Sequence, residues 1–181
     1  MNILKALKTT QELGLQPSHS GKVRDLFDLG DQLLMVATDR ISAYDLILGD
    51  PIPGKGSLLT RMSLEWFALL EDVVPNHIIS AKLEDFPAPY CNHPELAGRS
   101  MLIHKANRVD AECIVRGYIA GSGWRDYQGT GKICGIPLPE SLRESEQLDP
   151  PLFTPSTKSD VGHDENIDRA TLNTIVGTDV A

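Results

Sequence analysis

The stretch SGKVRDLFDLGDQLLMVATDR, residues 20–40, predicts the β-strands with which the fold begins. We expect one strand from Val23 to Asp28 and a second from Gln32 to Thr38, joined by the turn LGD. The run LLMVAT is continuously apolar, as is typical of a buried strand. It ends abruptly at Asp39 and Arg40, so polar side chains should lie directly after the end of this strand.

The segments that follow predict one helix and two more strands. Residues 50–56, DPIPGKG, hold two prolines and two glycines and should form a loop. From Ser57 to Val73, apolar residues recur at three- and four-residue spacing, which predicts a helix with an apolar stripe. The stripe consists of Leu59, Met62, Trp66, Leu69, Leu70 and Val73. MLIHKA (101–106) and AECIVRGYI (111–119) read as two strands joined by the turn NRVD, and a proline-rich loop should run through Pro155.

Composition places the chain among ordinary globular proteins and excludes several partners. Hydrophobic residues make up 41% of its 181 positions and charged residues 23%. A net charge of -8 argues against nucleic acid or a membrane surface as partner, since both require a basic excess. No apolar run approaches the length of a membrane span or signal peptide. Three widely spaced cysteines indicate reduced thiols and a cytoplasmic location.

Two segments near the start of the chain could contact a ligand. SGKVRD (20–25) combines Gly21 with Lys22 and Arg24, and the two cations would share one face of a strand. This arrangement suits the phosphates of a nucleotide, although a solvated surface hairpin has the same letters. DRISAYD (39–45) places Arg40, Ser42 and two carboxylates just after a buried strand, where either a ligand site or a capped turn is expected.

VRGYIAGSGW (115–124) and TPSTKSDVGHDENI (154–167) are the corresponding segments of the second half. Arg116 lies in an otherwise apolar strand and should have an anionic partner, because an unpaired buried cation is costly. The glycines after it and Ser122 would form a cradle for a phosphate monoester; a structural ion pair beside a turn is the alternative. The later segment offers hydroxyls, Lys158 and carboxylates that suit phosphate and Mg²⁺ together, or it is a solvated acidic loop.

Taken together and in order, these segments resemble a known enzyme family. GKVRD, ATDRISAYD, IPGKGSLLT, MLIHKA, ECIVRGYIAGSGW and LFTPSTKSDVGHDENI closely resemble phosphoribosylaminoimidazole-succinocarboxamide synthase (SAICAR synthetase), from about Gly21 to the last residue. The resemblance implies an α+β, SAICAR synthase-like fold. Its parts would be a β-rich, kinase-like ATP-binding lobe (1–110) and the start of an ATP-grasp-like α+β lobe with substrate-binding loops (111–181).

The resemblance also implies a reaction with ATP and Mg²⁺ as cofactors. The carboxylate of carboxyaminoimidazole ribonucleotide would be joined to L-aspartate through a carboxyl phosphate, giving SAICAR, ADP and phosphate. Three sets of residues match the family's sites. ATP-binding residues would be Gly21, Lys22, Arg24 and Lys105; substrate-binding residues would be Arg40, Ser42, Asp45, Arg116, Ser122, Ser156 and Thr157; catalytic residues would be Lys158, Asp164 and Glu165.

Two motifs of the family do not occur in this sequence. They are D-x-K-x-E-F-G and D-E-x-x-x-P-D-x-S-R, which supply the main metal carboxylates, a lysine and a further arginine. We therefore expect those ligands beyond the last residue, little synthetase activity from the chain by itself, and either self-association or a complementing C-terminal segment. Two other functions remain open: a nucleotide-binding module without catalysis, and a kinase-like phosphotransferase, although the kinase motifs H-R-D and D-F-G are absent.

Overall fold

The structure is a computed structural model that describes residues 5–44, 46–158 and 164–179. The chain divides into two compact units, Met1–Ala106 and Asn107–Ala181, whereas the sequence suggested a division after residue 110. Both units mix strands with helices, which makes the protein α+β, as expected. Within the described residues, no helix combines the length and the apolar character needed to cross a membrane.

The first unit is built on a five-stranded antiparallel sheet. Its strands run in the order β1-β2-β3-β7-β6. In chain order the unit contains a 3-10 helix (Thr10–Leu13), β1 (His19–Ser20), β2 (Arg24–Asp28), β3 (Gln32–Ala37), β4 (Ser42–Ala43), β5 (Leu46–Ile47), α1 (Lys55–Leu69), β6 (Ile78–Ser80), three short 3-10 turns and β7 (Ser100–His104). The predicted pair of strands around the LGD turn is confirmed as β2 and β3, which pair from Arg24 with Ala37 to Asp28 with Leu33.

Alternation along β2 and β3 directs one face of the sheet into the core of the first unit. Phe27, Leu34 and Val36 are almost completely buried there, together with Leu102 of β7. Leu7, Leu15, Phe86 and Leu96 complete this core from the segments around the sheet.

Helix α1 is present where the sequence predicts it, but its apolar stripe is not buried. The helix approaches β3 through Gly56, where a β-carbon would lie 2.1 Å from the carbonyl oxygen of Ala37. Thr60 is buried, whereas all six stripe residues are exposed, from 39% at Leu70 to 76% at Val73. Trp66 of this stripe therefore does not pack into the core, since 58% of the residue is exposed.

The second unit consists of short strand pairs and two helices. Its elements are β8 (Ala111–Glu112), β9 (Val115–Tyr118), α2 (Gly121–Thr130), β10 (Lys132–Ile133), β11 (Ile136–Pro137), β12 (Gln147–Phe153), β13 (Ser156–Thr157) and α3 (Arg169–Val176). Strand β9 pairs with β12, β8 with β13 and β10 with β11. Its core holds Ile119, Ile133 and Leu148, against which Trp124 packs.

Two predictions about this half of the chain are wrong. MLIHKA and AECIVRGYI do not form a hairpin, because β7 pairs with β3 and β6 whereas β9 pairs with β12. The segment expected to be a proline-rich loop contains β12, whose register with β9 shifts between Gln147 and Leu152, around Pro150 and Pro151. Proline has no backbone N–H to donate, so the strand pairs on either side of the two prolines.

Candidate functional site

The SGKVRD segment forms the tight turn of the β1–β2 hairpin. The amide of Gly21 donates to the carbonyl oxygen of Arg24 at 2.8 Å, and Ser20 pairs with Asp25 across the hairpin. Strand β2 begins only at Arg24, so Lys22 lies in the turn itself. The expectation that Lys22 and Arg24 share one strand face is therefore wrong, although one short turn still presents both cations.

The guanidinium of Arg40 lies beneath this turn, where it bonds to three of the turn's carbonyl oxygens. Its Nε donates to the carbonyl of Lys22 at 3.0 Å, and Nη2 lies 2.9 Å from that of Gly21 and 3.2 Å from that of Arg24. The same Nη2 lies 2.8 Å from Oδ1 of Asp25. The Arg40 side chain is 8% exposed, so this geometry gives no support to the prediction that it contacts substrate.

Asp25 is fully buried and accepts hydrogen bonds from several groups besides Arg40. Ser20 donates to Oδ1, while the amide and the hydroxyl of Thr10 donate to Oδ2 at 3.0 and 2.9 Å. Burial raises the pKa of this carboxyl, but the hydrogen bonds from Arg40, Ser20 and Thr10 outweigh burial and hold the pKa below its ordinary value. The carboxylate is thus charged at neutral pH and fixed in place.

A second buried ion pair joins Asp39 to Arg99, with 3.1 Å between Oδ2 and Nη1. Asp39 also accepts hydrogen bonds from the amides of Leu7 and Gly56, both at 2.8 Å. Burial raises the pKa of Asp39, but the hydrogen bonds from these amides and the ion pair with Arg99 outweigh burial. The pKa of Asp39 is therefore below its ordinary value. The end of β3 thereby fixes the start of α1.

Of the other predicted residues of the first unit, the structure describes Ser42 and Lys105, which belong to other segments than the turn. Ser42 is half-buried in β4, opposite Ile47. Asp45 lies outside the described residues. Lys105 forms an ion pair of 2.6 Å with Asp28, and both side chains are nearly half-exposed. The segment 106–109 that follows Lys105 is irregular and exposed.

In the second unit, Arg116 and Ser122 are in direct contact. Nη2 of Arg116, on β9, donates to Oγ of Ser122, in the first turn of α2, at 2.8 Å. Nη1 reaches the carbonyl oxygen of Ala120 at 3.4 Å, and the buried Nε has no hydrogen-bond partner among the residues that the structure describes. None of these contacts is the anionic partner that the sequence led us to expect. Because Ser122 accepts from Arg116, its own hydroxyl hydrogen is left to donate to another oxygen.

Two glycines of GYIAGSGW, Gly121 and Gly123, belong to the start of helix α2 rather than to a loop, and Gly117 lies in β9. Gly121 adopts a φ of 60°, which favours glycine, at the first position of α2. A β-carbon on Gly123 would lie 3.2 Å from Cδ and Nε of Arg116, so the absence of a side chain lets the helix approach this arginine. The cradle is therefore a strand arginine set against the amino end of a helix, where the helix dipole favours an anion.

The described residues of the TPSTKSDVGHDENI segment form a compact polar group. Ser156 is buried and its hydroxyl has no hydrogen-bond partner within the described part of the chain, while Thr157 accepts the amide of Glu165 at 3.0 Å. Lys158 lies 2.6 Å from Glu112 and 3.6 Å from Asp164. The hydrogen bond from Lys158 to Glu112 is the main cause of its raised pKa. Residues 159–163, which include Asp160 and His163, lie outside the described part of the chain.

The carboxylates of the described chain do not assemble a metal site by themselves. Within residues 5–44, 46–158 and 164–179, no three or more His, Cys, Asp or Glu side chains form a group able to hold a metal ion. Asp164 and Glu112 face Lys158, which already neutralises part of their charge. The described residues therefore do not fit a resident Mg²⁺ without further ligands.

The geometry thus brings most of the predicted residues together in three groups: the turn of residues 21–24 with Arg40, the Arg116–Ser122 pair, and the polar residues around Lys158. A profile of the SAICAR synthetase family matches residues 17–180. The chain belongs to the SAICAR synthetase family. It is 55% identical over 177 residues to the phosphoribosylaminoimidazole-succinocarboxamide synthase of Trichlorobacter lovleyi, and 53% identical over 179 residues to that of Geotalea uraniireducens.

These matches cover 97% and 98% of this chain but only 60% of either relative, so the chain spans about three fifths of their length. The solved SAICAR synthase from Saccharomyces cerevisiae complexed with SAICAR has a TM-score of 0.84 and 41% identity, over 97% of this chain and 60% of that one. A type-2 SAICAR synthetase in complex with ADP shares the fold at a TM-score of 0.66 and 24% identity, over 89% of this chain and 59% of its own. The predicted family and fold class are confirmed.

Sequence reasoning missed three side chains that organise these groups, namely Asp25 as the partner of Arg40, Arg99 as the partner of Asp39, and Glu112 as the partner of Lys158. Asp25 alone carried a usable signal, because it follows Lys22 and Arg24, the predicted phosphate-binding cations, inside the same motif. Arg99 and Glu112 lie 60 and 46 positions from their partners, and no local pattern links residues so far apart.

Proposed function

We propose that this chain carries the nucleotide- and ribonucleotide-binding part of an ATP-dependent ligase of purine biosynthesis. The reaction joins the carboxylate of carboxyaminoimidazole ribonucleotide to the amine of L-aspartate and yields SAICAR, ADP and phosphate. The observation that carries this proposal is the contact between Arg116 and Ser122 at the amino end of α2, inside the segment that most closely resembles the family. Family membership supplies the reaction class.

The Arg116–Ser122 pair suits the phosphate of the ribonucleotide. The guanidinium brings a permanent positive charge, the serine hydroxyl is available as a donor, and the helix dipole favours an anion at the same place. The SAICAR complex of the yeast relative supports a ribonucleotide ligand of this class. Ser156, whose buried hydroxyl has no partner in residues 5–44, 46–158 and 164–179, is a further candidate for a substrate contact.

The turn of residues 21–24 is the proposed site for the ATP phosphates. Lys22 and Arg24 supply two cations on a turn that Gly21 allows to be tight. ATP would phosphorylate the imidazole carboxylate, and the aspartate amine would then attack the carboxyl phosphate and expel phosphate. Positioning and charge neutralisation drive such phosphoryl transfers. Lys158, which lies between Glu112 and Asp164, is proposed to stabilise the charge that develops.

We propose that catalysis also requires polypeptide that this chain does not contain. The relatives are longer, and the described residues offer no group of three metal ligands. Mg²⁺ would neutralise phosphate charge during the reaction, but its principal carboxylates would come from a complementing C-terminal segment. The exposed apolar residues between positions 44 and 74 provide a surface on which added polypeptide, or a second copy of the chain, could pack. A cytoplasmic location remains part of the proposal, supported by three free cysteines.

The experiment is a turnover assay with ATP, Mg²⁺, carboxyaminoimidazole ribonucleotide and L-aspartate. The chain is tested alone and together with the C-terminal two fifths of the Trichlorobacter lovleyi enzyme, and that segment alone is the control. We expect aspartate-dependent formation of SAICAR only when both pieces are present. Turnover by the chain alone would contradict the proposed need for added metal ligands.

The absence of a three-ligand metal group among the described residues favours one alternative, a nucleotide-binding module without catalysis. It predicts ATP binding by the chain and no SAICAR from the mixture of both pieces. A kinase-like phosphotransferase would instead form ADP whether or not aspartate is present. The same assay therefore distinguishes the three functions, because in each of them product formation depends differently on aspartate and on the added segment.

A further inference from the structure

We propose that Arg40 is a positioning residue that shapes the turn of residues 21–24 for phosphate, and does not itself contact a ligand. This inference rests on the proposed nucleotide site. It replaces the expectation that Arg40 binds substrate, because its donors point into the protein and its side chain is 8% exposed. The juxtaposition that suggests it is one buried guanidinium beneath a turn that carries two phosphate-binding cations.

All four carbonyl oxygens of the turn are bound from within the protein. Arg40 binds those of Gly21, Lys22 and Arg24. Thr38 binds that of Val23 twice, with its amide at 3.1 Å and its hydroxyl at 2.9 Å. A carbonyl oxygen carries partial negative charge and repels a phosphate oxygen. A phosphate-binding turn therefore gains when its carbonyl groups are held away from the ligand.

Asp25 keeps Arg40 in the position that makes this possible. A salt bridge of 2.8 Å joins the two, and Thr10 and Ser20 hold the carboxylate from its other sides. Arg40 also donates to the carbonyl of Lys8 at 3.0 Å, which ties the turn to the segment before the first 3-10 helix. The guanidinium therefore meets a fixed set of acceptors, and its planar fork is suited to several at once.

A lysine could not replace this arrangement. Its ammonium would keep the positive charge beside Asp25, but it is a single point of donation and could not span the carbonyls of Lys8, Gly21 and Lys22. With its carbonyl groups released, the turn would sample other conformations, and ATP would have to reorder it on binding. Arg40→Lys should therefore weaken ATP binding even when the protein stays folded.

The test compares Arg40→Lys with Arg99→Lys and the wild-type chain. Arg99 is the matched control, because it is also a buried arginine paired with an aspartate in the first unit, yet its ion pair is with Asp39 and not with the turn. Two quantities are measured: amide hydrogen exchange of Gly21 and Thr38 without ligand, and the Kd of MgATP by calorimetry. Melting temperatures show whether each variant is folded.

We expect Arg40→Lys to weaken MgATP binding by about tenfold and to speed exchange at both amides, whereas Arg99→Lys leaves both close to wild type. A folded Arg40→Lys protein with unchanged exchange and unchanged Kd would overturn the inference while leaving the proposed nucleotide site intact. If the wild-type chain binds no MgATP, the proposed nucleotide site fails. Faster amide exchange in Arg40→Lys but not in Arg99→Lys would then still support the structural part of the inference, namely that Arg40 holds the turn.

Discussion

Asp25 and Asp39 show at the scale of single residues how two buried carboxylates link folding to pH. Each is completely buried, each is matched by an arginine and by backbone amides, and each has a pKa below its ordinary value. A carboxyl whose pKa is lower in the folded than in the unfolded state stabilises the fold at pH values above the unfolded pKa. That stability disappears as the pH falls through the folded pKa.

We therefore predict that the free energy of unfolding stays level near neutral pH. It should decrease once the pH is below 3.8, the ordinary pKa of an aspartate. Urea denaturation at intervals from pH 7 to pH 3 measures it. Asp25→Asn should lower stability at pH 7 by about 3 kcal/mol, because it leaves Arg40 buried without its anion. The variant should also lose less stability on acidification than the wild type does, and an equally steep acid dependence in both would contradict this account.

Arg116 and Ser122 lead to a prediction about substrate binding. Replacing Arg116 with lysine keeps a positive charge but removes the planar fork that reaches Ser122 and Ala120. We expect affinity for carboxyaminoimidazole ribonucleotide to fall by about 2 kcal/mol, or roughly 30-fold. Calorimetry with the ribonucleotide measures this, and Arg125→Lys, on the exposed side of α2, is the control. Equal affinities in the two variants would remove Arg116 from the substrate site.

At the scale of elements, two glycines control how closely a helix approaches a strand. Gly56 brings α1 against the carbonyl oxygen of Ala37, and Gly123 brings α2 against the side chain of Arg116. The sequence predicts a loop that ends at Gly56 and a phosphate cradle that includes Gly123, while the structure shows a packing requirement at both glycines.

Gly56→Ala should destabilise the first unit, because its β-carbon would lie 2.1 Å from a backbone oxygen that cannot move by a side-chain rotation. We expect a loss of about 2–3 kcal/mol in the free energy of unfolding, measured by urea denaturation. Gly49→Ala is the control, since a β-carbon there meets no atom within 4 Å. A loss no larger than that of the control would mean that α1 can shift away from β3 at little cost.

Gly123→Ala should act on binding more than on stability. Its β-carbon would lie 3.2 Å from the Arg116 side chain and 3.3 Å from Ile133, so the arginine must move by a few tenths of an ångström. We expect the ribonucleotide Kd to rise by about tenfold, because the arginine would leave its aligned position. Gly129→Ala, in the same helix with open space around it, should bind like the wild type. Matching Kd values for both variants would contradict a role for Gly123 in placing Arg116.

At the scale of the whole molecule, the apolar residues of one segment remain uncovered. The exposed large apolar side chains include thirteen between positions 44 and 74, on the β4–β5 hairpin, in the loop after it, on α1 and in the turn that follows α1. Helix α1 buries Gly56 and Thr60 and turns Trp66 and Leu69 outward, the reverse of the usual amphipathic arrangement. Such a surface favours association.

We predict that the chain by itself associates with a concentration dependence that Leu69→Lys reduces. Leu69 is 70% exposed, so the new charge costs little in the folded monomer but opposes burial in an interface. Light scattering after size-exclusion chromatography measures the mass at several concentrations. Val109→Lys adds the same charge at an exposed apolar residue outside the segment and is the control. A monomer at all concentrations in the wild type would contradict the prediction.

The sequence predicted local features well where they depend on neighbouring residues. The pair β2 and β3 and the position of α1 both lie within short segments, so periodicity and spacing were sufficient to predict them. Strand pairing across long separations was not predictable in this way. The hairpin expected from MLIHKA and AECIVRGYI does not exist, because partners distant in sequence compete for each strand edge and local pattern cannot rank them.

By itself, the sequence determined the family, the α+β class and the motifs that carry cations, hydroxyls and glycines, because residue type and spacing encode these directly. Only the tertiary structure decided which way the side chains turn. Arg40 reads as a ligand residue in its motif, yet it lies beneath the turn because buried carbonyl groups and Asp25 require a donor there. The apolar stripe of α1 has the spacing of a buried helix face, yet α1 packs against the sheet through the small residues Gly56 and Thr60. The apolar stripe is therefore exposed.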